Sequence, residues 1–152
     1  MIQLRFSTTR SFIPSALIRW RTQSAVSHVE FFNPGCGVTL GARWSLTEID
    51  NGVRLRGAAA IADQEGVVLA TFPGIEQAYE HGLALIGTPY NLKGIFGIAA
   101  ARDWTSKHHL DCSNFIFEAA RMAGVLLLNP EEIAPWKITP RDLMLSPKVT
   151  IL

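Results

Sequence analysis

Asp111-Cys112-Ser113-Asn114-Phe115 is the stretch that decides the reading of this chain, because a loop becomes a helix there. Asp111 suits the N-cap, its carboxylate accepting from backbone amides one turn in. Cys112 then takes the first helical position, where unpaired amides and the helix dipole favour an anion and should lower the thiol pKa. Phe115, Ile116, Ala119, Ala120 and Ala123 continue as one apolar stripe, and Gly124 supplies the stop. Cys112 lies three residues before Phe115, so its sulfur is expected along the inner surface of the protein.

Upstream, Ser27-His28-Val29-Glu30-Phe31 reads as a strand displaying an imidazole, with Glu30 on the same face as His28. A thiol at a helix start and a histidine on a strand are the components of a thiolate–imidazolium nucleophile, in which Glu30 would orient the ring or hold its proton. Each residue also has an ordinary structural reading. Free cysteine is among the most buried residue types, and a same-face polar pair is common on a half-solvated sheet.

Around these stretches the pattern is that of one α+β domain spanning 1–152, with strands concentrated in its first half. Residues 2–6 alternate as a strand. Ser11-Phe12-Ile13-Pro14-Ser15 opens a helix that tolerates Pro14 in its first turn. Strands are expected over 26–32, 38–42, 53–56 and 66–72, with turns at Asn33-Pro34-Gly35-Cys36-Gly37 and Asp50-Asn51-Gly52. Helices are expected over 75–86, 92–104 and 112–123, and a short capped one at Thr139-Pro140-Arg141-Asp142-Leu143.

The 152 residues are 48% hydrophobic and 18% charged with a formal net charge of +1. That balance gives no broad field for nucleic acid or an anionic membrane. Arg5, Arg10, Arg19 and Arg21 precede the first acid, Glu30, and form either a small basic patch or a solvated helix face. No run approaches the roughly 20 apolar residues of a membrane span. The first residues lack signal-peptide order, so a cytoplasmic setting is expected. Cys36 and Cys112 have unlike contexts and suggest no disulfide. His28-Val29-Glu30 matches half of a zinc deaminase motif, whose paired cysteines are missing, and His108-His109 are adjacent rather than a ligand pair on a helix face. No metal or cofactor is expected.

Leu85-Ile86-Gly87-Thr88-Pro89-Tyr90-Asn91, then Gly94, Asp111-Cys112-Ser113-Asn114-Phe115 and Ala123-Gly124, resembles the nucleophile half of the NlpC-like cysteine peptidases. In those enzymes the histidine follows the cysteine, whereas no histidine follows Cys112 here. His28, followed by Leu40-Gly41-Ala42, gives an order similar to the circularly permuted branch, the YiiX-like and lecithin:retinol acyltransferase-like proteins. The resemblance implies a permuted papain-like fold, a small antiparallel sheet or partial barrel packed against helices with the nucleophile at a helix N-terminus. It implies Cys112 as nucleophile, His28 as base and the Cys112 amide as an oxyanion donor. Tyr90, Ser113 and Trp104 would line the substrate cleft, with Trp44 beside it.

The relatives usually carry a third polar residue on the strand after the histidine, where this chain offers only Thr39. Glu30 is expected to replace it. The activity implied is hydrolysis of an amide or peptide bond, with cell-wall peptide the commonest substrate of the NlpC-like group. The alternatives are a binding or assembly protein on the same scaffold, as in a bacterial or phage particle, and a lipid acyltransferase.

Overall fold

The computed structural model describes residues 1–9, 13–45, 50–93 and 109–152. The helix expected over 92–104, Trp104 and His108 fall wholly or largely outside them. Six antiparallel strands form one sheet in the order β4-β3-β2-β1-β5-β6. These are β1 (Gln3–Thr8), β2 (His28–Asn33), β3 (Val38–Arg43), β4 (Gly52–Arg56), β5 (Glu65–Thr71) and β6 (Thr150–Ile151). The helices are α1 (Ile13–Thr22), α2 (Ile75–Ala84), α3 (Cys112–Met122) and α4 (Pro140–Met144), with 3-10 turns at Ala58–Ile61 and Pro135–Lys137.

The fold is therefore α+β, with an antiparallel sheet against helices. Strand alternation gives the sheet two unlike faces. Leu4 and Phe6 of β1, Val29 and Phe31 of β2, and Leu40 and Ala42 of β3 are buried toward α2 and α3. Phe31 meets the Phe115 ring edge-on at 5.7 Å and Tyr79 at 5.8 Å. Burial on this scale stabilises the fold by about 1.5–3 kcal/mol per large apolar side chain. The opposite face carries Arg5 across from Glu30 and Ser7 across from His28, with Thr39 across from Arg56 on the next pair.

Helix α3 is fixed at both ends as its sequence implies. Asp111 Oδ1 accepts from the Asn114 amide at 2.9 Å, and Oδ2 accepts from Asn114 Nδ2 at 2.6 Å. Gly124, at φ +77°, turns the chain so that the Val125 amide reaches the Ala120 carbonyl. In α4 the Thr139–Asp142 capping box forms as expected. Helix α2 stops at Ala84, two residues early, because Leu85 and Ile86 donate to carbonyls three residues back and tighten the last turn. The edge strand β6 was not anticipated. Two residues pairing with Ala70 and Thr71 are too short to leave a periodic signal.

Candidate active site

Main-chain pairing brings the two key stretches together. Tyr90 bridges Leu110, with the Asn91 amide donating to Leu110 O at 3.1 Å and the Leu110 amide to Pro89 O at 3.0 Å. Just upstream, the Val53 amide donates to Thr88 O at 2.9 Å. Gly52 is required at this crossing: at φ +87° it would place a Cβ 2.2 Å from Thr88 O. Tyr90 and the start of α3 are thereby anchored to the sheet, and α3 packs across β2 and β3.

Cys112 is 2% exposed. Its sulfur lies 4.0 Å from Ser27 O and 3.9 Å from Ser113 Oγ, and the Val29 amide donates toward it. It thus rests on both peptide groups that flank His28. Sulfur and ring are joined through the backbone on either side of residue 28. Here the electrostatic expectation is corrected. Burial, then the Asp111 carboxylate, push the thiol up to about 12, outweighing the Val29 amide and the hydroxyl and amide of Ser113. The helix terminus favours an anion, but at this buried position desolvation is the larger effect.

His28, the first residue of β2, has a side chain 13% exposed. Its Nε2 stands 3.4 Å from Glu30 Oε2, off hydrogen-bond alignment, and neither atom has another hydrogen-bond partner. The fully buried Glu30 receives Arg5 Nη1 on Oε1 at 3.0 Å. Burial alone would raise the Glu30 pKa; contact with His28 and the charges of His28, Arg43 and Arg5 outweigh it and hold the carboxyl below its ordinary value. Gly41 makes room for this arrangement, since a Cβ there would sit 2.7 Å from Glu30 Cβ and 3.3 Å from Oε2. Thr39, the other third-residue candidate, instead donates to Arg56 O at 3.4 Å.

A cleft of about 440 Å³ opens beside His28, lined by Ser27, Arg43, Trp44, Asp50 and Tyr90 among others. Ile18 and Tyr90 also line a narrow crevice of about 10 Å³ at Cys112, Ser113 and Asp111. The buried Tyr90 hydroxyl is raised well above its usual pKa, by burial and then by the neighbouring Cys112 and Asp111. The structure thus gathers Cys112, His28, Glu30, Tyr90 and Ser113 into one region.

Sequence reasoning missed the hydroxyl network behind the cleft. Thr8, Ser15 and Ser27 bond one another, and Arg19 Nη1 donates to Thr8 Oγ1 at 2.5 Å and Ser15 Oγ at 3.1 Å. It also missed Arg5 as the tether of Glu30. Alternation with Leu4 and Phe6 already placed Arg5 on the polar face, but its partner depended on register.

No family model matches the chain, and no curated protein matches it. Among solved structures it is similar to yiiX from Escherichia coli O157:H7, described as a DUF1105 metalloprotein, with a TM-score of 0.70 and 17% identity. The match covers 99% of this chain and 94% of that one. This chain has the yiiX fold.

Among the described residues, no helix is long and apolar enough to cross a membrane.

Proposed function

We propose that this protein is a cysteine hydrolase of amide or peptide bonds, of the permuted papain-like kind. The observation that carries the reading is the seat of the Cys112 sulfur, at the first turn of α3 and against the two peptide groups flanking His28. The His28–Glu30–Arg5 chain supports it. With Nε2 3.4 Å from the Glu30 carboxylate, the charge of Glu30 favours a proton on that nitrogen once the pair aligns, which makes Nδ1 the base in this reading.

In the reaction, His28 takes the Cys112 proton as sulfur bonds to the substrate carbonyl carbon. The Cys112 amide, free at the first helical position, donates to the oxyanion. The tetrahedral intermediate expels the amine, which leaves with the proton from His28. Water then attacks the thioester, giving its proton to His28, and the acid is released with the thiol restored.

Metal chemistry does not fit these residues. The yiiX protein is described as a metalloprotein, but among the described residues no three His, Cys, Asp or Glu side chains gather as a ligand set. Glu30 already gives one oxygen to Arg5.

One observation favours the second reading, a binding protein on this scaffold: the thiol is buried and held near 12. Iodoacetamide alkylation of Cys112 against pH, with and without a peptide-aldehyde inhibitor, separates the two. A hydrolase shows slow alkylation in the free protein, reversible covalent capture of the aldehyde near neutral pH, and loss of capture in His28→Ala. Absence of capture at every pH, with alkylation rising only toward pH 12, is the result expected of a binding protein.

A further inference from the structure

A second groove, of about 540 Å³, lies between the end of α1, the Pro135–Lys137 turn and α4. Arg21, Lys137 and Arg141 line it together with Trp136. None of the three cations has a carboxylate within 4 Å among the described residues. The one acid on the groove, Asp142, is turned inward, its Oδ2 accepting from the Thr139 amide at 2.9 Å and the Thr139 hydroxyl at 2.7 Å. Arg141 Nη1 donates to Thr22 O at 2.5 Å, which leaves the other guanidinium hydrogens available. Lys137 Nζ sits 5.1 Å from the centre of the half-buried Trp136 ring, an apolar wall beside the charge.

The groove is not isolated. Thr139 lines both it and the crevice at Cys112, while Ile18 and Tyr90 join that crevice to the cleft at His28. The crevice at Cys112 therefore shares walls with two recesses of different charge. On the His28 side, Arg43 faces Asp63 at 3.8 Å, and Arg56 donates to the carbonyls of Gly41, Arg54, Asp50 and Gly52. Those guanidiniums are committed to the protein, whereas on the Thr139 side only Arg141 Nη1 is, to Thr22 O.

We infer that the groove binds an anionic substituent, carboxylate or phosphate, on one side of the substrate's scissile bond. This rests on the hydrolase reading and adds to it a substrate class: acyl compounds carrying negative charge on the side away from His28. Guanidinium and ammonium donors match both anions.

The test pairs three anilide substrates of equal length, ending in a carboxylate, a phosphate or a neutral amide, with an Arg21→Gln/Lys137→Gln double variant. Both side chains are exposed and hold no hydrogen bond among the described residues, so the variant is expected to fold normally. The double variant raises KM for the charged substrates about tenfold with kcat within about twofold, and leaves the neutral substrate unchanged. Lys148→Glu, outside both recesses, serves as the charge control. The carboxylate and phosphate arms show which anion is preferred. Equal KM changes for charged and neutral substrates overturn the inference while leaving the hydrolase intact. Independently of turnover, Cys112→Ala titrated with glutarate and with inorganic phosphate is expected to show saturable binding that the double substitution abolishes. Saturable binding without turnover of any anilide supports the groove and counts against the hydrolase. No saturation by either anion overturns the groove.

Discussion

The two faces of the sheet are made by the same strands, yet they differ in almost every physical respect. Toward α2 and α3, Leu4, Phe6, Val29, Phe31 and Leu40 are packed without a polar atom among their side chains. On the other side, Arg5, Glu30, Thr39 and Arg56 are nearly as deeply buried, and all are polar or charged. Buried apolar area stabilises wherever it is placed, whereas buried charge is tolerated only with partners. The first face can hold the fold together by itself. The second takes its geometry from that face and spends it on positioning a ring and a carboxylate. Register joins the two: a one-residue slip of β2 would send His28 and Glu30 into the helices and Val29 and Phe31 into the cleft.

The largest expected effect comes from the apolar face. Phe31→Ala removes a ring that Phe115 and Tyr79 both contact, and is expected to cost about 3–5 kcal/mol in chemical denaturation. Inhibitor capture per folded molecule should persist, because no group of the proposed site is removed. Lost capture at full folding would show that the faces are not separable in this way.

Glu30→Gln attacks the polar face at its centre. Breaking a buried pair leaves Arg5 charged and alone, at a cost of about 3 kcal/mol. The sign of the pH effect follows from the lowered Glu30 pKa. Its stabilising contribution is fully present above the unfolded value of about 4.3 and is lost as pH falls through the lower folded value. Wild type should therefore lose stability into acid more steeply than Glu30→Gln, as read by urea midpoints from neutral pH downward. Parallel acid limbs would mean that Glu30 is not held ionised by its neighbours.

The apolar face was largely legible in the sequence, because alternation in β1 to β3 and the Phe115 stripe of α3 report burial locally. The Asp111 and Thr139 caps were legible for the same reason: each needs only residues within one turn. Proximity of His28 to Cys112, 84 positions apart, came from a resemblance rather than from any local signal. The state of the thiol was misread because burial is not a local property. An amide-rich helix start can be seen in five residues, but the protein closing over it cannot. Arg5 and the hydroxyls of Thr8, Ser15 and Ser27 belong to the same class, since their partners are set by register and by α1 lying across the strand ends.

The smallest expected effect discriminates between the two candidates for the third site residue. Gly41→Ala adds one methyl on β3 where Glu30 now leans, with 2.7 Å between the two Cβ atoms. Because Glu30 Cβ is fixed by its backbone, the β2 and β3 strands must shift apart locally, and the Glu30 carboxylate moves with them. Overpacking of this kind costs about 1–3 kcal/mol. Displacing Oε2 from His28 Nε2, now 3.4 Å away, should also move the His28 ring signals in ¹H–¹⁵N NMR. Thr39→Val is the matched comparison: it removes one 3.4 Å hydrogen bond to Arg56 O and should cost about 1 kcal/mol with the His28 ring signals unmoved. If instead Thr39→Val moves those ring signals and Gly41→Ala does not, the group that positions the ring lies on β3, and the empty place at Gly41 is only a packing accident.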